Sequence, residues 1–139
     1  GASFGFYSAG GTETVGQITS AVFAPNTTYQ FSSWAIGGGN RLGTVPYQIG
    51  YPSADDPAEF VPLATQAYIL DGNQDFVELA GVSYTTGAAG DEIGKSIWVR
   101  LGDASVGGNS DIWFDSFALV PEPASLVLLS LGLLALRRR

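Results

Sequence analysis

Apolar and polar residues alternate along most of this chain of 139 residues, and clusters of glycine, asparagine and proline separate the alternating segments. In one such segment, Ile97, Val99 and Leu101 fall on one face of an extended strand. Trp98 and Arg100 fall on the other face. Glycine and asparagine tolerate positive φ and proline holds φ near about −65°, so the clusters mark turns. The pattern predicts an all-β chain that forms a β-sandwich, with candidate strands at 3–7, 14–23, 28–36, 45–51, 60–70, 76–84, 96–101 and 112–119.

Two candidate strands change phase along their length. Tyr29 and Phe31 share one face, but the next aromatic residue, Trp34, falls on the opposite face. This change predicts either a β-bulge just before Trp34 or burial of both faces. The last candidate strand changes phase in the same way, and we expect Phe114 or Phe117 to join the core.

The charge and composition exclude several kinds of function. The chain has a net charge of −7, and only Arg41, Lys95 and Arg100 are basic before residue 121, against twelve acidic residues. Such a body repels nucleic-acid phosphates, so no nucleic-acid partner is expected. The chain has no cysteine and no histidine, which removes thiolate chemistry and the commonest general base and metal ligand. We therefore expect no enzyme and no cofactor. The acidic residues show no spacing typical of a glycosidase with two carboxylates.

The last twenty residues differ from the rest of the chain. Pro121-Glu122-Pro123 follows the final candidate strand, and its prolines are expected to exclude regular structure and to hold an accessible linker. An uncharged segment comes next, and its predicted membrane-segment residues are Leu126, Val127, Leu128, Leu129, Leu131, Leu133, Leu134 and Leu136. Arg137, Arg138 and Arg139 stop transfer and stay in the cytoplasm, which places the body outside. The predicted parts are a β-sandwich at 1–119, a linker at 120–123 and a short hydrophobic helix with terminal arginines at 124–139.

The apolar segment is short for a permanent anchor. Residues 124–136 form about 20 Å of helix at ~1.5 Å per residue, whereas the hydrocarbon core of a bilayer is ~30 Å thick. A short, weak anchor suits a transient stage better than a lifelong span. An ordinary membrane anchor remains the alternative.

The motif, the apolar segment and the basic end, in that order, closely resemble the PEP-CTERM sorting signal of exported bacterial proteins. In that family the signal is recognised by an exosortase, which is a membrane cysteine transpeptidase. The resemblance implies removal of the helix and arginines near Pro121-Glu122-Pro123. The first residues show no basic region followed by an apolar region of the kind found in signal peptides, and we expect an export signal in the precursor.

The body carries a second resemblance. The segments 24–29, 84–101 and 113–119 are similar to the body of many PEP-CTERM proteins and to galactose-binding-like jelly rolls. The resemblance implies a jelly-roll fold and, through Asp115 in the last strand, a structural Ca²⁺ site. Phe4-Gly5-Phe6 offers no acidic partner where such domains commonly supply one. Capping of a turn, or pairing with Arg100, is the alternative role for Asp115.

Several side chains are candidates for ligand binding. Trp98 and Trp113 could form flat platforms for sugar rings, or they could fill a second core layer. Other candidates have a structural alternative, namely burial for Tyr47, Tyr51 and Tyr68 and a solvated loop for Asp55, Asp56 and Glu59.

Together these observations lead to a hypothesis about function. The chain is expected to be an exported structural protein of the cell surface or extracellular matrix, such as a biofilm matrix, without enzymatic activity. Its expected partners are the exosortase and, transiently, the membrane. A non-catalytic carbohydrate-binding module, with an extracellular polysaccharide as partner, is the alternative.

Overall fold

A computed structural model describes residues 4–7, 14–37, 42–71, 77–101, 105–106 and 111–123. In these ranges the chain forms nine β-strands: β1 (Phe4–Tyr7), β2 (Val15–Val22), β3 (Thr27–Gly37), β4 (Leu42–Pro52), β5 (Phe60–Asp71), β6 (Val77–Thr85), β7 (Ser96–Leu101), β8 (Ser105–Val106) and β9 (Asp111–Pro123). The described part of the chain holds no helix. The predicted all-β class is confirmed.

The strands form two antiparallel sheets. Sheet A has the order β1-β9-β3-β6, and sheet B has the order β2-β7-β4-β5, with β8 added beside β4. Neighbours in the sheets are mostly distant in sequence, since β9 lies between β1 and β3, and β7 between β2 and β4. Strands β9 and β7 therefore connect the N-terminal strands β1 and β2 to β3 and β4.

The core lies between the sheets and uses the face that the alternation predicts. Ile97, Val99 and Leu101 of β7 are buried, which confirms their assignment. Phe114 is buried as well, and Phe117 packs partly buried against the same core. The rest of the core consists of Phe23, Tyr29, Phe31, Ala35, Val45, Tyr47, Ile49, Leu79 and Val82.

A buried hydroxyl pair lies in the middle of this core. The hydroxyls of Ser33 and Tyr47 share a hydrogen bond of 2.5 Å across the two sheets. Burial raises the pKa of the Tyr47 hydroxyl, so this group stays protonated and the pair stays neutral. Two polar groups that satisfy one another cost little to bury, whereas either one alone would be unsatisfied.

The predicted bulge exists, but the extra residues are in the partners of β3. Between Phe31 and Ser33 the register with β6 shifts, and just beyond it the register with β9 shifts as well. Strand β3 itself keeps its alternation, so Ser33 is buried and Trp34 is 42% exposed. Ser116 of β9 has φ 53°, and this bulge turns both phenylalanines of β9 toward the core.

The expectation that the two prolines exclude a regular strand is wrong. Strand β9 continues through Pro121 and Pro123, which lie opposite Tyr29 and Thr27 of β3. The described part of β1 pairs with β9 only as far as Phe114, so β3 is the one described neighbour of the end of β9. A proline has no N–H to donate to a neighbouring strand. This loss is tolerated where the nitrogen of the proline faces an edge of the strand that has no partner.

The predicted C-terminal helix, with Leu126 to Leu136 and Arg137 to Arg139, lies outside the described residues. Among the residues that are described, no helix is long and apolar enough to cross a membrane. The division into a body, a linker and a tail stays a prediction.

We predict that Ile97→Ala lowers the free energy of unfolding by ~2–5 kcal/mol, because it leaves a cavity in the core. The matched control is Ile18→Ala in β2, where the side chain is 46% exposed and the expected loss is below about 1 kcal/mol. Urea denaturation followed by circular dichroism measures both values. Equal losses would show that the face assignment is wrong.

Candidate functional site

The outer face of sheet B carries two aromatic rings in contact. Trp98 points away from the core and is half-buried. Its ring meets the ring of Phe60 edge to face, with 5.3 Å between centroids and 84° between planes. The guanidinium carbon of Arg100 lies 4.1 Å from the centroid of Phe60. A cation over an aromatic face stabilises the arrangement and fixes the orientation of the ring.

Two glycines make room for these rings. Gly50 lies opposite Trp98 in the ladder, and a Cβ added there would stand 2.7 Å from Cε2 and Cζ of Phe60. Gly16 lies opposite Arg100, and a Cβ there would stand 2.8 Å from Nε1 of Trp98. The rings of Phe60 and Trp98 therefore pack directly against the backbone at these glycines and protrude little from the sheet.

Polar groups surround the rings. Arg100 donates from Nε to Oε1 of Gln48 at 2.6 Å, and Gln48 donates from Nε2 to Oγ1 of Thr65 at 3.2 Å. On the other side, Ile18 of β2 lies opposite Trp98 and is largely exposed. We call Ile18, Gln48, Phe60, Trp98 and Arg100 the Trp98 surface. It combines a flat apolar area with amide and guanidinium groups, which suits a ligand that has both C–H faces and hydroxyls.

The two tryptophans proposed as a platform are not brought together. Trp98 lies on sheet B, whereas Trp113 belongs to β9 of sheet A, where it pairs with Gly5 and Ile36. The side chain of Trp113 lies outside the described residues. Sequence reasoning missed Phe60 as the partner of Trp98, because their contact depends on strands that are distant in the chain.

Asp115 sits at the bulge of β9. Its Oδ1 accepts a hydrogen bond of 2.6 Å from the backbone N–H of Ser116, the residue with positive φ. Among the described residues, no three acidic side chains come close enough together to hold a metal ion. The calcium site at Asp115 stays a prediction.

The acidic cluster around residue 55 forms a surface turn. Asp55, Asp56 and Glu59 are exposed. Oδ1 of Asp56 accepts from the N–H of Ala58 at 2.9 Å, and the backbone oxygen of Asp56 accepts from the N–H of Glu59 at 2.9 Å. Asp56 thus stabilises the loop through a local side-chain hydrogen bond, which favours the solvated-loop alternative.

The candidate tyrosines separate into core and surface. Tyr47 is completely buried, and Tyr68 packs edge to face against it at 5.2 Å. Tyr51 is half-buried under the amino group of Lys95, which lies 4.2 Å from its ring centroid. The burial alternative is therefore right for Tyr47, and the three rings do not form one open site.

Glu92 is a buried carboxylate that the sequence analysis did not single out. It accepts a hydrogen bond of 3.0 Å from the hydroxyl of Tyr84. Burial, followed by the hydrogen bond and charge of Glu92, raises the pKa of Tyr84, so its hydroxyl remains a donor. This pair joins β6 to the turn before β7 and has a structural role at this end of the sandwich.

An apolar gap of about 350 Å³ lies between the sheets near strand β2. Its lining is Val15, Gly16, Gln17, Phe31, Val99, Arg100, Leu101 and Phe117. The gap is continuous with the core and is large enough for a small apolar molecule.

The motif at the end of β9 is open to solvent. The side chains of Val120, Pro121 and Glu122 are exposed, and Glu122 lies opposite Thr28 in the ladder. Pro123 closes the last strand. Paired backbone and exposed side chains therefore coexist in this segment.

Residues 119–139 match the PEP-CTERM protein-sorting motif. The motif marks an exported protein that is recognised by an exosortase and is anchored in the membrane only until it is processed. No curated protein matches the sequence.

Solved structures with a similar fold include both enzymes and binding modules. A cyclase from Fischerella sp. TAU, in complex with 4-(1H-indol-3-yl)butan-2-one, is 20% identical with a TM-score of 0.59, over 78% of this chain and 55% of the cyclase. A family 16 carbohydrate-binding module is 22% identical with a TM-score of 0.52, over 85% and 75% of the two chains. A CBM4 structure is 18% identical with a TM-score of 0.55, over 83% and 67%.

These likenesses confirm the jelly-roll sandwich and show the fold alone. The chain spans about 55% of the length of the cyclase. The same fold occurs in an enzyme and in carbohydrate-binding modules. The fold therefore does not assign an activity to this chain.

We predict that Gly50→Ala destabilises the protein by ~1–3 kcal/mol, because the new methyl group would clash with the backbone oxygen of Val61 and stand 2.7 Å from the ring of Phe60. Displacement of Phe60 should also change the fluorescence of Trp98. Gly87→Ala is the matched control, since a Cβ there meets nothing closer than 3.3 Å. Thermal melts and emission spectra measure both effects. Equal melting of the two variants would show that Gly50 has room for a methyl group, and unchanged emission of Gly50→Ala would show that Phe60 does not lie over Gly50.

Proposed function

We propose that this chain is a non-catalytic structural protein of the bacterial cell surface or extracellular matrix. It is delivered by its PEP-CTERM signal, and an exosortase removes the tail. The observation that carries this proposal is the order of motif, apolar segment and arginines, which starts at the exposed end of the last strand of a folded body.

The composition of the body supports a structural role over an enzymatic one. The chain contains no histidine and no cysteine, so acid–base and nucleophilic chemistry would depend on carboxylates alone. Among the described residues, Glu92 is the one buried carboxylate. It accepts a hydrogen bond from the hydroxyl of Tyr84 at a structural turn. An acidic body also remains soluble and resists non-specific binding to anionic polymers.

The processing step gives the first test. Intact-mass analysis of the surface protein from a host with an exosortase should find that residues 124–139 are missing. A variant with Ala at positions 121, 122 and 123 should keep its full C-terminus, because the motif is then absent. A mature surface protein that retains all three terminal arginines would contradict the proposal.

The Trp98 surface supports a second candidate function, the binding of a neutral polysaccharide. Trp98 and Phe60 form an apolar area on the outside of sheet B, and Gln48 and Arg100 place hydrogen-bonding groups beside it. A sugar ring offers an apolar C–H face to an aromatic ring and hydroxyls to its surroundings. The net charge of −7 disfavours acidic or sulfated glycans. Similarity to carbohydrate-binding modules agrees with this candidate at the level of the fold.

If the Trp98 surface binds a polysaccharide, Trp98→Ala should weaken binding at least about tenfold, as the loss of a central aromatic anchor does. Trp34→Ala is the matched control, since Trp34 is exposed on the outer face of the other sheet. Isothermal titration with neutral polysaccharides selected on a glycan array measures both affinities. Equal affinities would exclude the Trp98 surface, and the absence of binding to any glycan would leave the structural role.

A further inference from the structure

The sorting motif of this chain is part of a β-sheet. Residues 121–123 lie opposite residues 27–29 of β3 in an antiparallel ladder. The two prolines stand at alternate positions, so their missing N–H groups face the same edge of the strand. The ladder keeps its hydrogen bonds through this segment only if Glu122, between the prolines, exchanges them with Thr28. The backbone of Glu122 is therefore engaged even though the side chains of Pro121 and Glu122 are exposed.

The β3 side of this pairing is firmly held. Thr27 donates its N–H to Oγ1 of Thr86 at 2.9 Å, and Thr86 donates its N–H to the oxygen of Thr27 at 3.0 Å. Tyr29 is buried, and its hydroxyl donates to the oxygen of Val22 at 3.2 Å and accepts from the N–H of Ala24 at 2.7 Å. If the two strands separate, the end of β9 must be the part that moves.

The β9 side is weakly held beyond Leu119. Phe114 is buried and Leu119 packs partly buried on the core, which fixes the strand up to that point. Val120 is 46% exposed, and Pro121 and Glu122 are exposed as well. Detachment after Leu119 thus breaks a few backbone hydrogen bonds and uncovers little apolar surface. Such local openings cost far less free energy than global unfolding.

We infer that the sandwich controls access to its own sorting motif. An enzyme that binds the motif as an added extended strand needs the backbone groups of the motif to be free, and the pairing with β3 occupies those of Glu122. Residues 120–123 must leave β3 before the exosortase can act, while the rest of the body stays folded. Release of four residues provides a reach of roughly 13 Å between the body and the tail. This inference rests on the proposed function.

The test is a disulfide that prevents the detachment in the full chain. Gln30 of β3 lies opposite Val120 of β9 and, on its other side, opposite Ser83 of β6, and all three side chains are exposed. Because the chain has no cysteine, the variant Gln30→Cys with Val120→Cys contains a single pair, at a separation that a disulfide spans. Its matched control, Gln30→Cys with Ser83→Cys, joins β3 to β6 and leaves β9 free.

Processing is followed by pulse-chase labelling in a host with an exosortase. The bond between β3 and β9 should slow removal of the tail at least about tenfold, because the opened state can no longer form. The reduced form, the single variant Val120→Cys and the β3–β6 control should be processed like the original chain. Unslowed processing of the oxidised β3–β9 variant would overturn the inference.

Two further measurements keep the outcome clear. If the triple variant Pro121→Ala, Glu122→Ala, Pro123→Ala is processed normally, the proposed function itself is wrong. If that variant is not processed but the disulfide has no effect, only the inference is wrong.

Hydrogen exchange of the unmodified chain gives an independent check, since the Glu122 amide should exchange more slowly than in a free peptide and faster than the Phe31 amide. Exchange at the free-peptide rate would overturn the inference.

Discussion

The contact between the inner face of β3 and Tyr47 of β4 determines how the two sheets fit together. The ring of Phe31 packs on that of Tyr47 with 5.5 Å between centroids, and Ser33 bonds the Tyr47 hydroxyl. A shift of β3 by one residue would place Trp34 in the core and leave the buried hydroxyl without its partner. The pair therefore specifies one register out of several that apolar packing alone would allow. Because β3 and β4 lie inside their sheets and pair with strands on both sides, the register of this contact also fixes the position of the neighbouring strands.

Alternation in the sequence predicts the faces of the strands well, but it does not predict how strands pair. Ile97, Val99 and Leu101 are inside as expected, since a strand with one buried face must alternate. The bulge near Ser33 was predicted in position, yet the extra residues belong to β6 and β9. A bulge is a property of two strands: β3 keeps its alternation and leaves Trp34 exposed, and the change of register falls in its partners.

Because the sequence does not show which strands pair, it also did not predict the paired proline motif or the full Trp98 surface. Proline removes one donor, and whether this matters depends on which edge of the strand has a neighbour, which the local sequence does not contain. Trp98 was predicted to face outward, but its partner Phe60 and the glycine beneath that ring come from strands distant in the chain. Trp113 was grouped with Trp98 because both are tryptophans in predicted strands, and the strand order places them on different sheets.

The position of the end of β9 also bears on how the sandwich would be oriented relative to the membrane. Pro123 lies beside Thr27, and Thr27 bonds Thr86, so the chain leaves the sandwich at the pole that holds the turns near residues 25 and 87. The strand ends at Gly37, Leu42 and Asp71 form the opposite pole. Under the proposed sorting, a body whose residues 120–123 are still paired with β3 would turn the first pole toward the bilayer and the second away from it. The Trp98 surface, on the outer face of sheet B between the two poles, would then face parallel to the bilayer.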